Sequence, residues 1–273
     1  MLKYHRIFLC LCAFICCIKG NNTESNLEIL EKECSSNNFY SCQNLAVIYI
    51  HGLNGLRKNT KKGIALLTKA CNGGIIQVCN DLSNAYLNGK SEIGIQKDSK
   101  KAFKFELKSC NFEMYIACFN VGVAYFNGSG VQKSLKKAKD FWVKACENNI
   151  YSACNNLGLM YYNGNGVKQD SIKAKDFWVK GCENDEFESC ANLSVIYSSG
   201  NGAKQDFLES NRLAKISCDG NNASGCYNLG LHYSDGLGVR QDLKIAKELF
   251  GKACDLGKQD GCNKYKELNE KRF

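Results

Sequence analysis

The residues with the most chemistry to offer in this sequence are its cysteines, 18 in 273 residues, several times ordinary usage. A cysteine can close a disulfide, hold a metal as a thiolate or act as a nucleophile. Fourteen of the 18 fall into seven pairs: Cys34 with Cys42, Cys71 with Cys79, Cys110 with Cys118, Cys146 with Cys154, Cys182 with Cys190, Cys218 with Cys226 and Cys254 with Cys262. The two members of every pair lie eight positions apart, and first members follow one another after 37, 39, 36, 36, 36 and 36 residues. Eight residues of helix rise about 12 Å and eight of strand about 26 Å. A disulfide needs Cα atoms within about 7 Å. A bonded pair therefore requires the chain to reverse between its cysteines. Zinc is the competing reading, but zinc pairs are usually separated by two to four residues and draw on histidine, of which the chain has only 3. The spacing favours disulfides, and a fully paired set leaves no cysteine nucleophile.

Other reactive types are sparse. One S-x-x-K match runs from Ser134 to Lys137, Ser234-Asp235-Gly236 half resembles an S-D-N element, and K-T-G is absent. These three elements together would mark a serine β-lactamase. Ser134 also stands where a helix N-cap is expected, and that role accounts for it. Past the first 20 residues the histidines are His51 and His232, in different repeats, too few for a zinc cluster. No G-x-S-x-G or phosphate-cradling loop occurs. Catalytic residues are unassigned, and no metal or cofactor site is expected.

The elements that must position these residues follow from composition and period. Zero proline beside 25 glycines suits a chain built of helices, since interior proline costs about 3 kcal/mol. Hydrophobic content of 44% is enough for a core. Residues 1–20 join a basic start (Lys3, His5, Arg6) to a twelve-residue apolar run from Ile7 to Ile18. That run is too short for a bilayer and has the layout of a secretory signal peptide cut near Gly20. Without it the chain carries net +6, from 33 basic and 27 acidic side chains, a mild excess that is poor support for nucleic-acid binding. An oxidising compartment, secreted or periplasmic, is expected.

A period near 36 residues means stacked supersecondary units. After Cys154 come Leu157, Gly158 and Tyr161, a helical stripe. The column recurs as Leu45/Ala46/Tyr49, Leu82/Ser83/Tyr86, Val121/Gly122/Tyr125, Leu193/Ser194/Tyr197 and Leu229/Gly230/Tyr233. Its small residue lets a second helix approach. A loop with Gly164, Gly166 and Val167 follows, repeated as Gly128/Gly130/Val131, Gly200/Gly202/Ala203 and Gly236/Gly238/Val239. The glycines end the first helix with positive φ. Asp98, Ser134, Asp170, Asp206 and Asp242 then occupy N-cap positions of a second helix carrying Ala174/Trp178, Ala138/Trp142 and Ala246/Phe250. Each repeat reads as helix, glycine loop, helix and stapled turn. Residues 24–34 supply an N-terminal half unit, repeats run to 262, and 263–273 read as a polar capping segment, so residues 21–273 are expected to form a single solenoid.

The pattern N-L-G-x-x-Y, G-x-G-V, D, A, W, A resembles the Sel1-like repeat, a relative of the tetratricopeptide repeat. A cysteine pair in each repeat behind a signal peptide is similar to the Helicobacter cysteine-rich protein family. The resemblance covers residues 24–262. It implies an all-α, right-handed α-solenoid of about seven disulfide-bonded αα-hairpins, secreted or periplasmic. The family is labelled penicillin-binding or putative β-lactamase and is regarded as host-interacting. The residues carry no such hydrolase site, so hydrolysis, if present, would be weak.

In related tetratricopeptide repeats the asparagine just before Leu-Gly lines the concave groove, where an amide can both donate to and accept from a ligand backbone. Here Asn44, Asn120, Asn156, Asn192 and Asn228 stand two residues after the second cysteine, with Asp81 and Lys264 breaking the series. Asn88, Asn127, Asn163, Ser199 and Asp235 follow seven residues on. The expectation is a clamp on an extended peptide or protein, of host or cell-envelope origin. The alternative role for each asparagine is a bond to its neighbours that serves stacking. The family label adds a β-lactam or muropeptide as a further ligand. Neither nucleic acid nor membrane insertion after signal cleavage is expected. N-x-S/T sequons begin at Asn21, Asn127, Asn192 and Asn222.

Overall fold

A computed structural model describes residues 23–271, so the signal-peptide expectation at 1–20 lies outside the described residues. These residues form fourteen α-helices and one 3-10 turn, Ser91–Ile93, with no strand. The chain is all-α, of the repeat-solenoid class. It divides into two compact units, one ending at Met114 and one starting at Tyr115.

The first unit holds α1 (Thr23–Ser35), α2 (Phe39–His51), α3 (Thr60–Asn72), α4 (Ile76–Asn88) and α5 (Ser99–Asn111). Helix α1 spans the residues at 24–34 from which a half unit is expected. The core comprises Leu45, Tyr49, Val78, Leu82, Tyr86 and Phe105 together with Cys34, Cys42, Cys71 and Cys79. Cys42 is bonded to Cys34 and Cys79 to Cys71, with Cα separations of 4.7 and 4.8 Å. Both Cys42 and Cys79 are fully buried, so they serve the core and meet no ligand, which closes the zinc and nucleophile readings for these two residues. Sγ of Cys42 lies 3.5 Å from the Cys34 carbonyl oxygen, and Sγ of Cys79 lies 3.3 Å from that of Cys71. A disulfide sulfur carries no proton to donate, so these are packing contacts rather than hydrogen bonds.

The second unit holds α6 (Tyr115–Asn127), α7 (Leu135–Glu147), α8 (Tyr151–Asn163), α9 (Ser171–Cys182), α10 (Phe187–Ser199), α11 (Phe207–Asp219), α12 (Ala223–Asp235), α13 (Leu243–Asp255) and α14 (Gln259–Glu270). Disulfides Cys146–Cys154, Cys182–Cys190, Cys218–Cys226 and Cys254–Cys262 join successive helices, with Cα separations of 5.0, 4.7, 4.4 and 4.5 Å. Cys110 and Cys118 are also disulfide-bonded. The polar C-terminal segment continues α14, the helix that carries Cys262.

Each stapled turn reverses through one left-handed residue three positions after the first cysteine. These are Asn37, Gly74, Glu113, Asn149, Asp185, Asn221 and Gly257, with φ between 59 and 94°. Asparagine and glycine tolerate this region, whereas glutamate gains no local hydrogen bond from it.

The N-caps form as read. Asp98, Asp170, Asp206 and Asp242 each accept a backbone N–H at 3.0 Å, and Ser134 Oγ accepts one from Lys137 at 3.4 Å. Each cap's own N–H donates to the preceding column tyrosine carbonyl, as from Asp170 to Tyr161 at 2.9 Å. Gly164 closes α8 in the left-handed region with φ 71°. The small residue of the first helix also explains itself. A Cβ on Gly122 would stand 2.4 Å from the Trp142 ring, and one on Gly158 2.3 Å from the Trp178 ring.

Lysines near the ends of three second helices lock a repeat to the one before. Within the first unit Lys69 Nζ donates to the Cys34 carbonyl at 2.6 Å. Within the second, Lys180 and Lys252 do the same to Cys146 and Cys218 at 3.0 and 2.8 Å. The ammonium satisfies an orphan carbonyl at the negative end of a helix.

Candidate functional site

The first-type helices of the second unit (α6, α8, α10, α12) carry the asparagine column, and its members differ. Asn156 is half-buried and, among the described residues, makes no side-chain hydrogen bond to another repeat. Asn192 Nδ2 donates to Asn155 Oδ1 at 2.8 Å, so its amide reaches back one repeat. Asn155 is itself buried and also accepts from Ser189 Oγ. Asn228 Nδ2 donates to the Ala191 carbonyl and to Ser194 Oγ, both at 3.3 Å. Asn192 and Asn228 thus bind repeat to repeat through Nδ2, while Oδ1 of each accepts nothing among the described residues. Asn120 is exposed. In the first unit Asn44 is half-buried, and Asp81 accepts from Gln77 Nε2 at 3.2 Å, with burial pushing its carboxyl up.

One turn along from Asn156 and Asn192 stand Leu159 and Val195, 36% and 38% exposed. Aliphatic side chains left open beside half-open amides, on adjacent repeats, form a surface with apolar and hydrogen-bonding character together. Its rim is fixed by a device the sequence reading missed. Gln169, Gln205 and Gln241 donate from Nε2 to the carbonyls of Tyr162, Ser198 and Ser234 at 2.7–2.8 Å, closing the C-terminal ends of α8, α10 and α12. The signal was a glutamine immediately before the capping aspartate, three repeats running.

The three tyrosines Tyr86, Tyr125 and Tyr161 stack on second-helix phenylalanines with centroids 5.7–5.8 Å apart. A lysine ammonium stands over each ring: Lys101, Lys137 and Lys173, at 5.1–5.5 Å. Lys137 is thus engaged with Tyr125, and Ser134 with the start of α7, which gives both members of the S-x-x-K match structural work.

One constellation has the layout of a nucleophile, base and orienting group. His232 Nε2 lies 3.4 Å from Ser210 Oγ, and His232 Nδ1 lies 2.9 Å from Asn211 Oδ1. Its chemistry is closed off. Ser210 is fully buried, and its hydroxyl donates to the Ser194 carbonyl at 2.7 Å. Asn211 Nδ2 donates to the Phe207 and Leu237 carbonyls at 2.8 and 2.6 Å. Its Oδ1 must then accept, so His232 carries its proton on Nδ1. Burial lowers the imidazole pKa, and Asp235 opposes this weakly. The network fastens α10, α11 and α12 around a neutral histidine where other repeats place Met160 or Ile196. No group of three or more metal-ligating side chains occurs among the described residues, and none of their helices is long and apolar enough to cross a membrane.

The Sel1 repeat family matches the chain at residues 40–75, 76–111, 116–150, 152–186, 187–222 and 223–258. No curated protein matches it. Among solved structures, the chain is similar to a protective antigen of uropathogenic Escherichia coli strains displaying an SLR fold. That likeness has 25% identity and TM-score 0.68, over 86% of this chain and 50% of the antigen, so this chain spans half the antigen's length. It is similar to a Sel1 repeat protein from Oxalobacter formigenes at 25% identity and TM-score 0.65, over 85% of this chain and 94% of that one. Helicobacter pylori cysteine rich protein B is 32% identical over 49% of this chain and 96% of its own, with TM-score 0.40.

Proposed function

The chain belongs to the Sel1 repeat family, in a disulfide-stapled, cysteine-rich form, and on that premise we propose that it grips an extended peptide or protein partner along its first-type helices. The fold is that of a protein-interaction repeat scaffold, and its disulfides point to an oxidising environment. The finer statement, a secreted or periplasmic binder using the asparagine face, is our reading. One observation carries it. Asn156, Leu159, Asn192 and Val195 lie at equivalent positions of adjacent repeats, the two aliphatic groups open to solvent and the amide oxygens uncommitted. An extended chain offers N–H groups and alternating side chains at intervals that such a surface can take up.

The test is selection of peptides from a random displayed library on the oxidised protein. Asn156→Ala and Leu159→Glu should each weaken a selected peptide about tenfold, the loss of a hydrogen bond or an apolar contact to ligand, with the urea midpoint unchanged. Asp176→Ala, on the exposed side of α9, should leave binding intact. Failure to select any peptide, or binding indifferent to both face variants, overturns the reading. Asn192 and Asn228 are poor probes because both also hold repeats together.

A further inference from the structure

The glycine-loop edge of the first unit is unusually basic. Segments 57–62 and 89–104, which form this edge, contain nine Lys and Arg against two Asp and Glu. The cations keep a register: Lys58, Lys61 and Lys62 in one repeat match Lys97, Lys100 and Lys101 in the next, at equal distances before Cys71 and Cys110. The two loops are tied together, because Lys58 Nζ donates to the Glu92 carbonyl at 2.8 Å. Both second helices, α3 and α5, also present their capped, electropositive N-terminal ends at this edge.

Some of this charge is used. Lys62 meets Glu31 and Tyr49, and Lys101 pairs with Asp98 at 3.6 Å. Arg57, Lys61, Lys97, Lys100 and Lys104 are exposed and have no ion-pair partner among the described residues. Like charges held within about one Debye length repel, and in the free protein nothing offsets that cost. Local structure does not require these cations, since the caps are made by Asn59 and Asp98.

We propose that this edge docks an acidic segment of a polypeptide. Segments 52–62 and 89–101 contain no aromatic residue on which a sugar or base could stack. Four of the five free cations are lysines, point charges that suit carboxylates without the planar fork favouring phosphate or sulfate. The inference rests on the reading of the chain as a protein binder, but it concerns a surface other than the asparagine face.

The experiment titrates a fluorescent oligoglutamate peptide into the oxidised full chain, with dextran sulfate as a second probe. Oligoglutamate should bind at low salt and weaken steeply as ionic strength rises. Lys61→Glu with Lys100→Glu should weaken it about tenfold or more, while Lys204→Glu with Lys244→Glu in the second unit should change it less than about twofold. Should the double reversal fail to fold, Lys61→Gln with Lys100→Gln should still weaken binding about threefold. Equal losses in both pairs would assign the effect to net charge and overturn the proposal. So would dextran sulfate binding without oligoglutamate binding, or no binding at all. Library peptides selected on the asparagine face should keep their affinity in the Lys61/Lys100 variant, so either reading can fail alone.

Discussion

Replacing Gly158 by alanine sets two well-understood effects against each other. In a helix interior alanine is favoured over glycine by about 1 kcal/mol, so propensity alone predicts a more stable protein. Packing predicts the reverse. The new Cβ would lie 2.3, 2.6 and 2.7 Å from Nε1, Cδ1 and Cε2 of Trp178, against ordinary carbon contacts of about 3.5–4.0 Å. The ring has little room to retreat. Trp178 is 2% exposed, its Nε1 donates to the Asn155 carbonyl at 3.3 Å, and Tyr162 stands 5.5 Å away. Overpacking of this kind costs about 1–3 kcal/mol, so we expect a net loss of about 1 kcal/mol. The chain has 2 tryptophans, Trp142 and Trp178, so urea unfolding followed by tryptophan fluorescence reports on the perturbed site, with circular dichroism as a check on the whole. A double-mutant cycle with Trp178→Ala should show about 1 kcal/mol of coupling or more, because removing the ring removes the clash. Gly158→Ala raising the urea midpoint, or a cycle without coupling, would refute the account of why this column is small.

Three further outcomes are expected. Glu113→Gly relieves a left-handed non-glycine residue with φ 64° and should raise stability by about 1 kcal/mol in thermal unfolding; no gain would mean the turn is unstrained. Removing one staple, as Cys146→Ala with Cys154→Ala, should cost about 2–3 kcal/mol and increase amide exchange most in α7 and α8. His232 has a folded pKa below its ordinary value because it is buried. Its contribution is full above an unfolded pKa of about 6.5 and is lost as pH falls through the lower folded value. The urea midpoint should therefore drop on acidification below about pH 6.5, and His232→Met should flatten that part of the profile.

Features that depend on residues close in sequence were legible. Cys146 and Cys154 report a chain reversal by spacing alone, and Asp170 announces a helix start because a cap is a three-residue event. Gly158 is legible as the small residue that admits a second helix and Trp178 as a recurring residue of that helix, although that the two meet required coordinates. The asparagine column was read as one feature, yet Asn192 and Asn228 reach back across more than thirty residues while Asn156 does not, a distinction set by the identity of Asn155 and Ser194 in preceding repeats. The Ser210, Asn211 and His232 network escaped notice because it breaks the period, with Ser210 standing where neighbouring repeats place Ala174 or Ala246 and His232 where they place Met160 or Ile196. The left-handed turn residue was within reach, since Asn37, Asn149 and Asn221 share one offset, but Glu113 obscures the rule.

The lysine–carbonyl contact places two kinds of joint on one residue type. Where the joint is made, as at Cys146 and Lys180 or Cys218 and Lys252, the first cysteine is covalently closed to the next helix while its carbonyl receives the ammonium of the following repeat. Every such unit therefore carries its own plug and its own socket. A segment cut between equivalent cysteines and duplicated would present matching ends on both sides, so the chain can lengthen or shorten in whole modules without redesign of a seam. Ile216 stands where the plug belongs in α11, leaving the junction at Cys182 as the one in this unit where a grafted module would gain a fastening the present chain lacks.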